Sequence, residues 1–317
     1  RKLLVYMEAV DSSYLDVPYH NRSHATDVMM TLEWFLRAEF YKKLTSPLDH
    51  FMVLIAAAIH DVAHPGMNNL FFSKSMSPLA LRYNDKSILE NMHLAFAFDL
   101  LQRESLNCNW FHLLSKCHRP PGPDGEAKPL NLQQYVRRGL IDTVLATDMA
   151  KHPKHIAKLK DLVHEGPEQG GAVTAGATSL GIDRKLFLLG TALHAADISN
   201  SSKATPVSVR WTERVLMEFW AQGDEEKRLG LDISPMCDRE VGKTSVPKGQ
   251  IGFIQFVVFP YFSLISQLMP EAQEAIEQME ANKTFWQSKD AEEASLEAMF
   301  GESSPLCRPG PAEANNS

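Results

Sequence analysis

The chain has 317 residues, 44% hydrophobic and 22% charged, ordinary values for a globular protein with enough apolar residues to bury a sizeable core. Its formal net charge of −7 argues against a nucleic-acid surface, because phosphate backbones are held mainly by Lys and Arg. Four cysteines, Cys108, Cys117, Cys237 and Cys307, are scattered without a CxxC pair, which argues against a disulfide scaffold and for reduced thiols in a cytoplasmic setting.

The opening "RKLLVYMEAVDSSYLDV" has acidic residues too early for a signal-peptide core and no initiator Met, so the chain is expected to be a piece of a longer protein. "SHATDVMMTLEWFLRAEFYKKL" follows, with Val28, Leu32, Phe35 and Leu36 on one helical face and Ser23 placed as its N-cap. "DHFMVLIAAAIHDV", "SILENMHLAFAFDLLQ", "NLQQYVRRGLIDTVLATDM", "DRKLFLLGTALHAADI" and "VSVRWTERVLMEFWAQG" have the same period. Strand-like alternation is scarce, so the fold class is all-α.

Two breaks, "HRPPGPDGEAKP" at 118–129 and the Gly- and Ala-rich 165–181, read as loops or insertions, since the polar clusters described next lie on both sides of them. The expectation is one helical domain over residues 1–300 and a disordered tail over 301–317. There is no internal repeat, and no stretch is read as a membrane span.

The chemistry sits where apolar helices end. His20 and His24 are four apart, and His20 falls on a turn if the helix begins at Ser23. His60 and Asp61 are neighbours, with His64 one turn beyond His60; Glu90 and His93 are three apart; Asp197 closes "LHAAD". Any one of these alone is more often a satisfied core residue than a ligand. His152 and His155, in the lysine-rich "KHPKHI", read as a solvated face. The set is different, because burying several ionisable groups without partners costs several kcal/mol each and one shared cation would satisfy many of them. Imidazoles and carboxylates without thiolate suit zinc or another borderline ion, and Asp61 has the chemistry to bridge to a harder ion such as Mg²⁺. Two such ions would activate water and clamp a phosphate ester, which would let an acidic protein accept an anion.

The strings "YHNRSHATDV", "AAAIHDVAHPGMNN", "SILENMHLAFAFDLLQ", "LATDMAKH", "LHAADISN", "DISPMCD" and "QIGFIQFVVFP" occur in this order. Together they resemble the class I 3′,5′-cyclic nucleotide phosphodiesterases, from about residue 3 to about residue 285, with the family's earliest helices missing. The resemblance implies a compact multi-helix, HD-type catalytic domain with a deep metal-floored pocket. It also implies that a regulatory N-terminal region is absent here and that a homodimer is open. His24, His60, Asp61 and Asp197 would hold the tighter ion, usually Zn²⁺, and Asp61 would bridge to a second, usually Mg²⁺, with Mn²⁺ as a substitute. His20 matches the general acid that protonates O3′ as a metal-bridging hydroxide attacks phosphorus in line, with Glu90 a further catalytic position. His64, His93 and Thr147 match positions that orient the ligands and waters.

The same resemblance makes Gln250 the contact to the purine edge, Phe253 the stacking ring and Val215 the opposite wall. Tyr19, Met149, Ile198, Asn200, Phe219 and Met236 would line the pocket. Two departures stand out. Ala63 replaces the second aspartate of the HDxDHPG pattern, and Ser208 falls where cAMP-selective relatives have a tyrosine that orients the glutamine amide. A freer Gln250 would accept both cAMP and cGMP. The alternatives are another HD-type metal-dependent phosphohydrolase, which would need no purine clamp, and a catalytically inactive nucleotide-binding module, which would lack a ligand or the acid.

Overall fold

Apolar side chains at helical spacing produce a helical fold, and no strand forms among the described residues, which are 1–116, 131–164 and 181–308 of the computed structural model. The break at 118–129, Cys117 and nearly all of the break at 165–181 lie outside them, as does the chain after 308. In order, the helices are α1 (Lys2–Ser13), α2 (Arg22–Arg37), α3 (Glu39–Leu44), α4 (Pro47–Ile59), α5 (Asn69–Lys74) and α6 (Pro78–Tyr83). Then come α7 (Ile88–Gln102), α8 (Phe111–Leu114), α9 (Leu132–Val144), α10 (His152–His164) and α11 (Ile182–Asp197). The last are α12 (Thr205–Arg228), α13 (Arg239–Phe253), α14 (Phe259–Leu268), α15 (Ala272–Ala291) and α16 (Leu296–Phe300).

Four of them make the floor of the site: α2 packs on α4 and α11, and α9 packs on both α4 and α11. The sequence builds α4 with a complete capping box, Ser46 and Asp49 bonding reciprocally, and with Pro47 in the first turn. Tyr135 and Lys185 also bond the buried Asp49 carboxylate, joining α9 and α11 to the start of α4. Gly139 lets α4 and α9 approach, since a Cβ there would lie 1.9 Å from Met52 Sδ. A second group, α12, α13, α14 and α15, packs alongside, and α10 lies against α14.

Four details differ from expectation. Asn21, not Ser23, caps α2: its Oδ1 accepts from the backbone N–H of Ser23 and His24, while its Nδ2 donates to the Val17 and Pro18 carbonyls. The predicted helix through residue 44 breaks at Ala38, whose extended backbone starts α3. The segment 301–308 is packed rather than disordered, with a 3₁₀ turn at Pro305–Cys307, Leu306 in the core, and Ser304 hydrogen-bonded to Glu213 of α12. Finally, the run Arg239–Leu268 is long and apolar enough, by length and composition, to cross a membrane, contrary to the reading of no such span. Here its Ile254, Val258, Tyr261, Phe262 and Ile265 lie in the core.

Ala63, in the turn after α4, has φ +61°, the left-handed region. An alanine there carries a steric penalty of about 1–2 kcal/mol that glycine avoids at a smaller entropic cost. Ala63→Gly is therefore expected to stabilise the fold by about 0.5–1 kcal/mol, read as a higher denaturation midpoint at unchanged m. A lower midpoint would show that the turn is relaxed with alanine.

Candidate active site

Each candidate ligand comes from the end of a floor helix. His24 lies in the first turn of α2, His60 and Asp61 follow the last turn of α4, and Asp197 is the last residue of α11. Ligand atoms of these four lie within 4.8 Å of one another. His24 Nε2 is 3.0 Å from Asp197 Oδ1 and 3.4 Å from Asp61 Oδ2; His60 Nε2 is 3.0 Å from Asp61 Oδ2 and 3.3 Å from Asp197 Oδ1. Side chains 173 residues apart thus meet at one point.

The tautomers show what this point is suited to hold. His60 Nδ1 is 2.8 Å from the Ala57 carbonyl and His93 Nδ1 is 2.7 Å from the Val62 carbonyl. A carbonyl only accepts, so both Nδ1 atoms carry hydrogen, and a neutral ring turns its Nε2 lone pair inward. His60 Nε2 is buried without a hydrogen-bond partner. His93 Nε2 faces Asp61 Oδ1 at 3.7 Å. Lone pairs aimed at carboxylates repel unless a positive charge lies between them. The imidazoles of His24 and His60 and the carboxylates of Asp61 and Asp197, with the second ring nitrogen of His60 fixed by the Ala57 carbonyl, form a donor set that fits a divalent cation. The same field acts on the protons. Burial opposes charge on His60, but Asp61 and Asp197 outweigh it and raise its pKa well above the usual value.

Two further groups adjoin the first. Asp61, His64 and His93 form one, and His20, His64 and Glu218 the other. His20 stacks on His64 with centroids 3.9 Å apart, and its Nδ1 is hydrogen-bonded to Glu218. The other Glu218 oxygen accepts from the backbone N–H of Tyr19 (3.0 Å) and His20 (3.1 Å). Burial lowers the basicity of His20, yet Glu218 reverses this and raises its pKa to about 9. His64 is the opposite case: burial and the charge of His20 push its pKa well down, and its Nδ1 accepts from the Gly66 N–H at 3.0 Å, so the hydrogen sits on Nε2. Adjacent imidazoles are therefore held in opposite states, one protonated and one neutral.

Glu90, in the first turn of α7, accepts from Asn69 Nδ2 at 3.2 and 3.1 Å. Burial, then the nearby Asp148, raises its pKa to about 7. The Thr147 hydroxyl donates to the Val144 carbonyl at 2.8 Å, which leaves its lone pairs for other donors.

The residues expected to hold a base are placed as follows. Gln250 is buried on α13, and its Oε1 accepts from Thr212 Oγ1 at 3.1 Å. Phe253 ends α13, while Val215 and Phe219 lie on α12; all three are half-buried against the core, and the two helices pack together. Ile198 and Asn200 directly follow Asp197, and Tyr19 lies 4.6 Å from His24, ring to ring. Met149 and Met236 are exposed, and the Met236 Cε lies 3.9 Å from where a Cβ on Gly249, the residue before Gln250, would stand.

The sequence profile of the 3′,5′-cyclic nucleotide phosphodiesterases matches residues 19–279. The chain belongs to that family. A 3′,5′-cyclic-AMP phosphodiesterase 4C of Mus musculus is 40% identical over 90% of this chain and 39% of its own length. A probable 3′,5′-cyclic-AMP phosphodiesterase, pde-4, of Caenorhabditis elegans is 37% identical over 92% of this chain and 40% of its own length. The chain therefore spans less than half of these two relatives. The crystal structure of the phosphodiesterase domain of a Salpingoeca rosetta rhodopsin phosphodiesterase superposes with a TM-score of 0.76 and 31% identity, covering 92% of this chain and 81% of that one.

Sequence reasoning missed two residues of this candidate site. Glu218 lies inside "RVLMEFW", and its signal was available: an acid in an otherwise apolar stripe requires a buried partner. Thr212 gave no signal, since a threonine on a helix is unremarkable until Gln250 is seen beside it.

Proposed function

We propose that this domain hydrolyses 3′,5′-cyclic AMP to 5′-AMP, with two divalent ions at the floor and His20 as the general acid. The convergence of His24, His60, Asp61 and Asp197, with the His20–Glu218 pair beside them, carries this reading. Zn²⁺ at the four-ligand position and Mg²⁺ at the neighbouring one would supply Lewis acidity to the phosphate and an activated water. The chain's own residues do the rest. Glu218 holds the proton on His20, whose Nε2–H remains free to protonate the departing O3′. Neutral His64 offers its Nε2–H beside that position, and Glu90, close enough to feel the charge of Asp61, offers acceptors at the edge of the cluster. Gln250 and Phe253 hold the base. Cys108 and Cys237 are buried free thiols, in keeping with a reducing, cytoplasmic location.

The second nucleotide, cGMP, is favoured by a specific contact. Ser208 supplies no phenol to Gln250, and Thr212 is the partner instead. A hydroxyl both donates and accepts, so Thr212 can satisfy either orientation of the amide, and each orientation complements a different purine. Parallel assays, before and after chelation and restoration with Zn²⁺ and Mg²⁺, are expected to show metal-dependent hydrolysis of both nucleotides with kcat/KM values within about tenfold of each other. A ratio of about a hundred, equivalent to about 2.7 kcal/mol, would remove the dual reading. Hydrolysis of simple phosphate esters, with neither cyclic nucleotide turned over, would favour the broader HD-type phosphohydrolase.

A further inference from the structure

His152 and His194 form a buried pair outside the ion cluster, and His152 is not the solvated residue its lysine neighbours suggested. His152 Nε2 lies 3.1 Å from the Val257 carbonyl, and its Nδ1 lies 2.8 Å from His194 Nε2. Val257 belongs to the π-helical turn Ile254–Val258, which directly follows Phe253 and leads into α14. Such turns interrupt the regular ladder and persist where the surroundings hold them. A carbonyl only accepts, so His152 carries its hydrogen on Nε2; its Nδ1 then accepts, and His194 donates from Nε2. Burial supports these neutral tautomers, pushing the pKa of His194 down to about 3 and lowering that of His152. His194 sits on α11 three residues before Asp197. Two imidazoles thus connect the helix that carries an ion ligand to the turn that follows Gln250 and Phe253.

We propose that His152 is a positioning residue: by donating to the Val257 carbonyl it fixes the π-turn, and with it the register of Gln250 and Phe253 over the ion-binding carboxylates. The inference rests on the reading that Gln250 and Phe253 hold the base. Ground-state binding of the nucleotide depends on that register, whereas His20 and the carboxylates stand on other elements. The effect should therefore fall on KM.

The test compares His152→Phe with His152→Gln, in the wild-type and Gln250→Ala backgrounds, using cAMP with both ions supplied. His152→Phe is expected to raise KM about tenfold with kcat changed less than about threefold. His152→Gln, whose amide can place an N–H near the Nε2 position, should recover most of that loss. In the Gln250→Ala background the His152→Phe effect should shrink to about twofold or less, because both changes act on the same contact. An unchanged KM in His152→Phe, a fall in kcat matching the rise in KM, or full additivity with Gln250→Ala would overturn the relay while leaving the base contact intact. An unchanged KM in Gln250→Ala itself would instead remove the base contact and, with it, the proposal's premise. Should His152→Phe fail to fold, His152→Gln against His152→Asn decides the same point, since the shorter amide cannot reach Val257; equal KM values in the two would overturn the proposal.

Discussion

Asp61→Ala is expected to give a protein that folds, retains substantially less divalent metal, and loses at least about 10³-fold in kcat/KM, or about 4 kcal/mol of transition-state stabilisation. Among the described residues, Asp61 joins the four-residue group to its neighbour: it belongs both to the set with His24, His60 and Asp197 and to the set with His64 and His93. Its Oδ2 lies 3.0 Å from His60 Nε2 and its Oδ1 lies 3.7 Å from His93 Nε2, so one carboxylate faces both positions. Asp197 touches only the first set, and Asp197→Ala should release the tighter ion while disturbing the second less. Elemental analysis of the purified variants, set beside steady-state kinetics, checks both statements. Full metal occupancy with lost activity in Asp61→Ala would leave the carboxylate a chemical role but not the bridging one. Retained activity would dismiss the ion cluster altogether. The fold should tolerate the change, because Asp61 is drawn towards histidines that repel one another once it has gone only if they stay charged, and burial favours their neutral forms.

The candidate ligands were legible because they are chemically conspicuous: histidines and aspartates that end apolar helices have no reason to be there unless something joins them, and the geometry supplies the meeting point. The partners of the clustered residues and of His20 were much less so. Glu218 acts on a residue 198 positions away, and no local period carries such a distance. His152 was misread because Lys151 and Lys154 flank it in sequence; its own face of α10 continues to the buried Leu159 and Leu162, and helical spacing rather than nearest neighbours reports burial. Asn21 and Ser23 are both good caps, and only the additional bonds from the Asn21 amide to Val17 and Pro18 decide between them. The apolar run through α14 was overlooked because the charged residues of early α13 and of α15 bracket it, although from Gly249 to Pro270 it has no charge. Leu306 looked like part of a tail since its neighbours are Gly, Ser and Pro, yet one leucine in the core is enough to hold a short turn in place.

His20→Ala should keep its metal and lose about 10²- to 10⁴-fold in kcat, the usual contribution of a positioned proton donor. The companion variant Glu218→Gln tests how that donor is maintained. In the wild type, burial disfavours the charged imidazole, Glu218 more than compensates, and the pKa stands at about 9. In the proposed role the protonated form is the acid and is present below its pKa, so a raised pKa would carry activity upward in pH. Replacing the carboxylate with a neutral amide leaves burial unopposed. The pKa then falls, and the alkaline limb of the kcat profile should move to lower pH, with activity near the wild-type level on the acidic side and markedly reduced at neutral pH. A limb that stays in place would show that Glu218 merely anchors the backbone of Tyr19 and His20, whose N–H groups it also accepts. Leaving-group chemistry separates the remaining possibility. A phosphodiester with an acidic phenol as its leaving group departs without a proton, so its hydrolysis should be far less sensitive to His20→Ala than that of cAMP. Equal losses on both substrates would mean that His20 contributes to binding or to the ion cluster rather than to proton transfer.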